Sequence, residues 1–233
     1  MTQIAEFREQ SQALVTLAQR DLTDFWSSLD LYRDPFAARD MMGEFLPELT
    51  AGYGDAEALV AAEFYDSLRV VPPSAASFRA VLADPPSVPE QFLRTASWAV
   101  APLLGDAPDP AAALSRFVGA VARLVMQPNR ETITRSVARD RHAAGWERRT
   151  RAGSCRFCQM LAGRPGAVYK RETAMVAAHD NCKCVAVPSW DPNAPEVPMY
   201  AYVASKTTSG MSPEQRDKHR ARVRDYLDAN FPK

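Results

Sequence analysis

The chain has 233 residues, 46% hydrophobic and 24% charged, enough to bury a core and close to the globular average. These proportions argue against fibrous, coiled-coil and wholly disordered chains. Its 28 basic and 28 acidic residues cancel, so there is no overall basic coat for nucleic acid, and neither a basic-then-apolar leader nor a run of ~18 apolar residues points to export or to a membrane.

The neutral sum hides a gradient. Residues 1–70 hold 13 acidic and 5 basic residues, 71–129 hold four of each, and 130–233 hold 11 acidic and 19 basic. Oppositely charged halves either attract each other or face two different partners.

In chain order, Ile4, Phe7, Leu14, Leu17, Leu22, Phe25, Trp26 and Leu29 recur at spacings near three, four and seven, the period of an amphipathic helix. Asp34-Pro35 punctuates the chain, and two helices are expected over 36–47 and 55–69, parted by the turn-prone Gly52-Tyr53-Gly54. Residues 72–128 carry nine of the eighteen prolines between apolar runs at 74–83, 88–104 and 110–126, as helix punctuation would. Pro128-Asn129 then opens an expected helix over 130–146, with Asn129 as its cap. Past residue 150, Ala167-Val168-Tyr169 and Val185-Ala186-Val187 read as short strands, and the proline-rich 188–198 as extended linker. Ser212-Pro213-Glu214 starts a last helix, with Pro213 in the first turn where its missing amide does no harm. The expected fold is mainly α: a helical region (1–128), a small α+β zinc-knuckle-like module (129–190), a linker (191–211) and a C-terminal helix (212–233).

All four cysteines lie within thirty residues, at Cys155, Cys158, Cys182 and Cys184, with His179 just ahead of the second pair. Cys-x2-Cys, a twenty-residue gap and His-x2-Cys-x-Cys fall in the range of two-knuckle zinc sites. Two thiolates on one tight turn can point at one centre, and a distant pair closes the tetrahedron. Binding then adds folding energy to a unit too small for its own core. The first expected ligand set is Cys155, Cys158, His179 and Cys182, with Cys184 beside it. Replacing His179 by Cys184 is the alternative, since residues two apart on a strand share a face. Two disulfides, or free thiols, are the competing readings. A closed shell of sulfur and nitrogen donors favours a structural zinc over a catalytic one.

Residues 130–156 carry eight arginines. Of these, Arg135, Arg139, Arg141, Arg148 and Arg149 form a candidate surface for phosphate contacts without sequence readout, or for pairing with acidic helices or a protein neighbour. No Gly-x-Ser-x-Gly elbow, His-Glu-x-x-His helix or phosphate-binding glycine loop occurs. The imidazoles available to a hydrolase are His142, His179 and His219.

The run Gly145-Trp146-Glu147-Arg148, Cys155-Arg156-Phe157-Cys158 with Leu161-Ala162-Gly163 following, Val168-Tyr169 and His179-Asp180-Asn181-Cys182-Lys183-Cys184 resembles the phage Mu F-like minor head protein family, in the version carried by tailed phages of actinobacteria. The resemblance covers roughly residues 128–190. It implies a minor capsid or head-morphogenesis protein, residing in the virion head and in the host cytoplasm during assembly. The portal or major capsid protein and packaged DNA would be its partners, with no membrane and no small-molecule substrate. Related phage proteins are often labelled capsid maturation proteases, so cleavage of coat or scaffold protein is the alternative activity.

Overall fold

A computed structural model describes residues 2–30, 34–70, 77–150, 154, 156–162, 166–170, 176, 179–197 and 210–230. The chain is mainly helical, with a small two-stranded sheet and a Cys/His cluster toward its C-terminal end. Helix α1 spans Gln3–Ser27, α2 Pro35–Leu68, α3 Pro89–Val100 and α4 Pro110–Arg139. A 3-10 turn, Ala101–Leu103, follows α3.

Helix starts obey local chemistry. Thr2 Oγ1 accepts from Ala5 N–H, Asp34 Oδ1 from the Phe36 and Ala37 amides, and Asp109 Oδ1 from Ala112 N–H. Each satisfies amides that the first turn leaves without partners. Pro35 and Pro110 open α2 and α4, where no amide is needed.

Two expectations fail within these helices. The turn expected at Gly52-Tyr53-Gly54 is absent, and α2 runs unbroken for 34 residues, through Pro47 as well. Gly54 serves a crossing instead: a Cβ there would lie 3.2 Å from Pro128 Cγ and 3.2 Å from Pro85 Cβ, so its bareness lets α2 settle on α4. Likewise α4 continues through Pro128, where the sequence predicts a fresh helix to open, as far as Arg139, and it stops short of 146: a turn at 141–142 follows, and β1 begins at Gly145. Burial of an apolar face outweighs the local cost of proline and glycine here. The helix expected over 74–83 does not form in its described part, 77–83, whose amides bond instead to side chains of α2 and α4: Ala80 N–H to Asp66, Val81 N–H to Ser136 and Ala83 N–H to Thr132.

The core joins α1 to α4 through Phe7, Leu22, Trp26, Met42, Leu46, Tyr65, Phe92, Phe117, Leu124 and Ile133, with Phe7 stacked on Phe64 at 4.0 Å. One polar cluster is sealed inside it. Glu57 accepts from Ser11 Oγ at 2.8 Å and from Asn129 Nδ2 at 2.7 Å, and its burial pushes its carboxyl up to about 7.

Strands β1 (Gly145–Arg149) and β2 (Val185–Ser189) pair antiparallel, Gly145 opposite Ser189 and Arg149 opposite Val185. Tyr169 bridges to Trp146 and stacks on it, and Val168 bridges to Glu196. Between the strands lies the short helix α5 (Arg156–Ala162). The unit is fastened to the helices at Asp140, which ends α4. Its carboxylate accepts from Arg69 Nε at 2.6 Å, Tyr65 Oη at 3.1 Å, the His142 amide at 3.0 Å and Trp190 Nε1 at 3.5 Å. The last helix, α6 (Pro213–Asn230), opens as a capping box, Ser212 Oγ accepting from Gln215 N–H and Gln215 Oε1 from Ser212 N–H. No helix among the described residues is long and apolar enough to cross a membrane.

Candidate metal centre

Cys158 comes from α5, whereas His179, Cys182 and Cys184 come from the turn that leads into β2. These stretches meet. The Cys158 and Cys182 sulfurs are 3.3 Å apart, His179 Nε2 is 3.5 Å from Cys158 Sγ, and the three donor atoms lie within 4.8 Å of one another. A tetrahedron with metal–sulfur bonds of 2.3 Å has edges of about 3.8 Å, so the donors are already near the spacing that one ion requires. Cys184 Sγ stands beside them, 2.9 Å from Cys182 Sγ. Cys155 lies outside the described residues.

Three further features fit a cation. The His179 ring nitrogen Nδ1 is 2.6 Å from the Asp180 carbonyl oxygen, which can only accept. Nδ1 therefore carries the proton, and the lone pair on Nε2 is left facing the sulfurs, as a metal-binding imidazole requires. The three described cysteines are buried, and Cys182 Sγ lies 3.3 Å from Cys158 Sγ and 2.9 Å from Cys184 Sγ, too far for an S–S bond of about 2.05 Å. Hydrogen bonds from Cys158 and then Cys184, together with the nearby Arg130 cation, outweigh burial and hold the Cys182 thiol below its ordinary range, whereas Cys158 and Cys184, which share their protons with it, lie above theirs. A thiolate is the ligand form.

Two buried arginines flank the cluster. Arg148, on β1, donates from Nη1 to Cys184 Sγ at 2.8 Å, and Arg130, on α4, donates to the Cys182 and Cys184 carbonyls at 3.0 and 3.2 Å. No carboxylate pairs with Arg130 among the described residues, and its Nη1 is buried without a partner. A desolvated cation of this kind calls for negative charge close by, which a Cys182 thiolate supplies. Neither arginine was legible as part of a sulfur site. The available signal was Arg130 falling on the apolar face of α4, four residues after Met126.

The family pattern described as VG15 protein matches residues 1–206. The chain belongs to the VG15 protein family. That family is phage-associated, and its pattern takes in α1 to α5, the sheet and the whole Cys/His cluster, stopping before α6. No curated protein matches the chain, and no solved structure does.

The five arginines of the candidate partner surface are dispersed. Arg139 and Arg141 are exposed, with Arg141 Nε 3.3 Å from His142 Nε2. Arg135 is half-exposed and meets Glu131 at 3.0 Å and Asp84 at 3.7 Å. Arg149 pairs with Glu147. Arg148 points inward at 5% exposure, so its charge serves the sulfurs rather than the surface. Neither His142 nor His219 is bonded to a serine hydroxyl among the described residues.

Proposed function

We propose that this chain is a minor capsid or head-morphogenesis protein of a tailed phage, of the Mu F-like kind, with a structural role at the portal vertex or the capsid interior. The observation that carries the reading is the convergence of Cys158, His179 and Cys182 inside the segment that resembles the Mu F-like module. A zinc ion held by Cys155, Cys158, His179 and Cys182 would supply a cross-link between α5 and the chain entering β2. Four such soft sulfur and nitrogen donors would leave no open position, the character of a structural site. The portal or major capsid protein is the partner, and exposed Arg139 and Arg141 offer packaged DNA phosphate contacts that do not depend on sequence.

Two measurements test it. Protein purified without chelator should hold about one zinc, and absence of metal would defeat the zinc reading. Labelling the chain in intact virions should place it at the vertex or inside the head. A chain absent from finished virions would instead favour a transient assembly role, including cleavage of coat or scaffold protein. Replacing Arg139 and Arg141 together should weaken duplex binding and flatten its salt dependence.

A further inference from the structure

The closing half of the cluster, His179 to Cys184, lies along one face of α4. Gly119, Arg123, Met126 and Arg130 follow at spacings of four, three and four residues, and so share that face. At Gly119 the loop touches helix backbone: Asn181 N–H donates to the Gly119 carbonyl at 3.4 Å, and a Cβ on Gly119 would lie 2.9 Å from Asn181 Nδ2 and 3.1 Å from Asp180 Cβ. Asn181 itself adopts φ 60°, the left-handed turn that lets the chain double back between two ligands. One turn further, Arg123 Nε donates to Asp180 Oδ1 at 2.8 Å. Two turns beyond, the buried Arg130 spans the last two cysteines, Nη2 donating to both their carbonyls and Nε to Cys184 O at 3.3 Å.

None of these contacts involves a donor atom of the cluster. Arg130 holds the backbone of Cys182 and Cys184, Gly119 the backbone of Asn181, and Arg123 the side chain of Asp180, next to His179. The other half differs: α5 has seven residues and packs against β1, with Tyr169 Oη donating to the Leu161 carbonyl at 3.3 Å.

We infer that Gly119, Arg123 and Arg130 are positioning residues of the metal centre: α4 shapes the half bearing His179 and Cys182 before an ion arrives, and the ion then draws α5 onto it. The inference rests on the metal reading above and adds that α4, a helix with no ligand of its own, sets the affinity. Partners one step removed from the donors typically change metal affinity 10–100-fold. Arg130 acts through two carbonyls in a fixed fork that lysine cannot reproduce.

The test uses the full chain, stripped with chelator, as wild type, Arg130→Met and Arg130→Lys. Zinc affinity is read by competition with a chromophoric chelator, cobalt uptake by its thiolate charge-transfer band, and the metal-free loop by hydrogen exchange over 179–184. Arg130→Met should weaken zinc about 10–100-fold with the cobalt band and helical content unchanged, and Arg130→Lys should recover part of the loss. Loop amides in metal-free wild type should be protected, and those of Arg130→Met should not. If Arg130→Met does not fold, the half-exposed Arg123→Gln should still weaken zinc several-fold. Affinity within about twofold of wild type in the folded variants, or a metal-free wild-type loop exchanging like unfolded chain, overturns the inference and leaves the metal reading standing. A wild type that takes up neither zinc nor cobalt overturns both.

Discussion

The Arg148 guanidinium and the Cys184 sulfur meet at 2.8 Å in the interior of the small unit. A buried hydrogen bond to a charged group contributes about 2 kcal/mol, and the arginine stem fills space beside Trp146, whose ring lies 6.0 Å from the guanidinium carbon. Arg148→Met should therefore lower the unfolding free energy by about 2 kcal/mol, and near-ultraviolet circular dichroism should show loosened tryptophan packing while far-ultraviolet helix signal persists.

Asp140 gives the chain an acid-sensitive joint. Burial alone would raise its carboxyl, but bonds from Arg69, the His142 amide and Tyr65 outweigh it and hold the group at about 2. A carboxylate below its unfolded value of 3.8 stabilises the fold above that pH, and the contribution of about 2 kcal/mol is lost as pH falls from about 4 to 2. Asp140→Asn should destabilise at pH 7 by at least that amount, because Arg69 is left buried without its anion. Urea unfolding at pH 7 and pH 3 should show the variant and wild type converging on the acid side.

Glu57 has the opposite sign. Its folded value near 7 lies above the ordinary 4.5, so the folded state binds the extra proton and unfolding free energy declines as pH rises from about 4.5 to 7, by about 3 kcal/mol in all. Glu57→Gln keeps an oxygen for Ser11 and removes the buried charge. It should stabilise at pH 8, by up to about 3 kcal/mol, and change little at pH 5. A variant less stable than wild type at pH 8 would show that Glu57 is ionised there and held by its hydrogen bonds.

Two of the three α2 glycines, Gly52 and Gly54, separate packing from propensity. A Cβ on Gly52 meets nothing within 4 Å, whereas one on Gly54 meets two proline rings at 3.2 Å. Gly52→Ala should raise stability by about 0.5–1 kcal/mol through helix propensity. In Gly54→Ala the same gain is offset by overpacking that costs about 1–3 kcal/mol. Thermal melts of the two variants should move in opposite directions.

Those glycines also show where the sequence was readable. Periodic apolar spacing and proline starts located α1, the start of α4, and α6, because these signals are local. The break at 52–54 and the fresh start at 128 were misread because Gly54 and Pro128 mark the same event, one helix crossing another, and neither residue announces its partner. Cysteine spacing brought out Cys158, His179 and Cys182, since ligand geometry is written in short intervals. The arginines around them read as surface charge: what distinguishes Arg130 and Arg148 from Arg139 is an inward direction set by the α4–β2 packing. Strand β1 was missed because Gly145-Trp146-Glu147-Arg148-Arg149 alternates weakly and gains its partner only from forty residues downstream.

At 30 residues, α4 is a rod of about 45 Å shared by the helical core and the Cys/His loop, with Pro128 inside it and no hinge between. A pull on the small unit would pass lengthwise along that rod into the bundle, so the two regions should yield together under tension rather than peel apart.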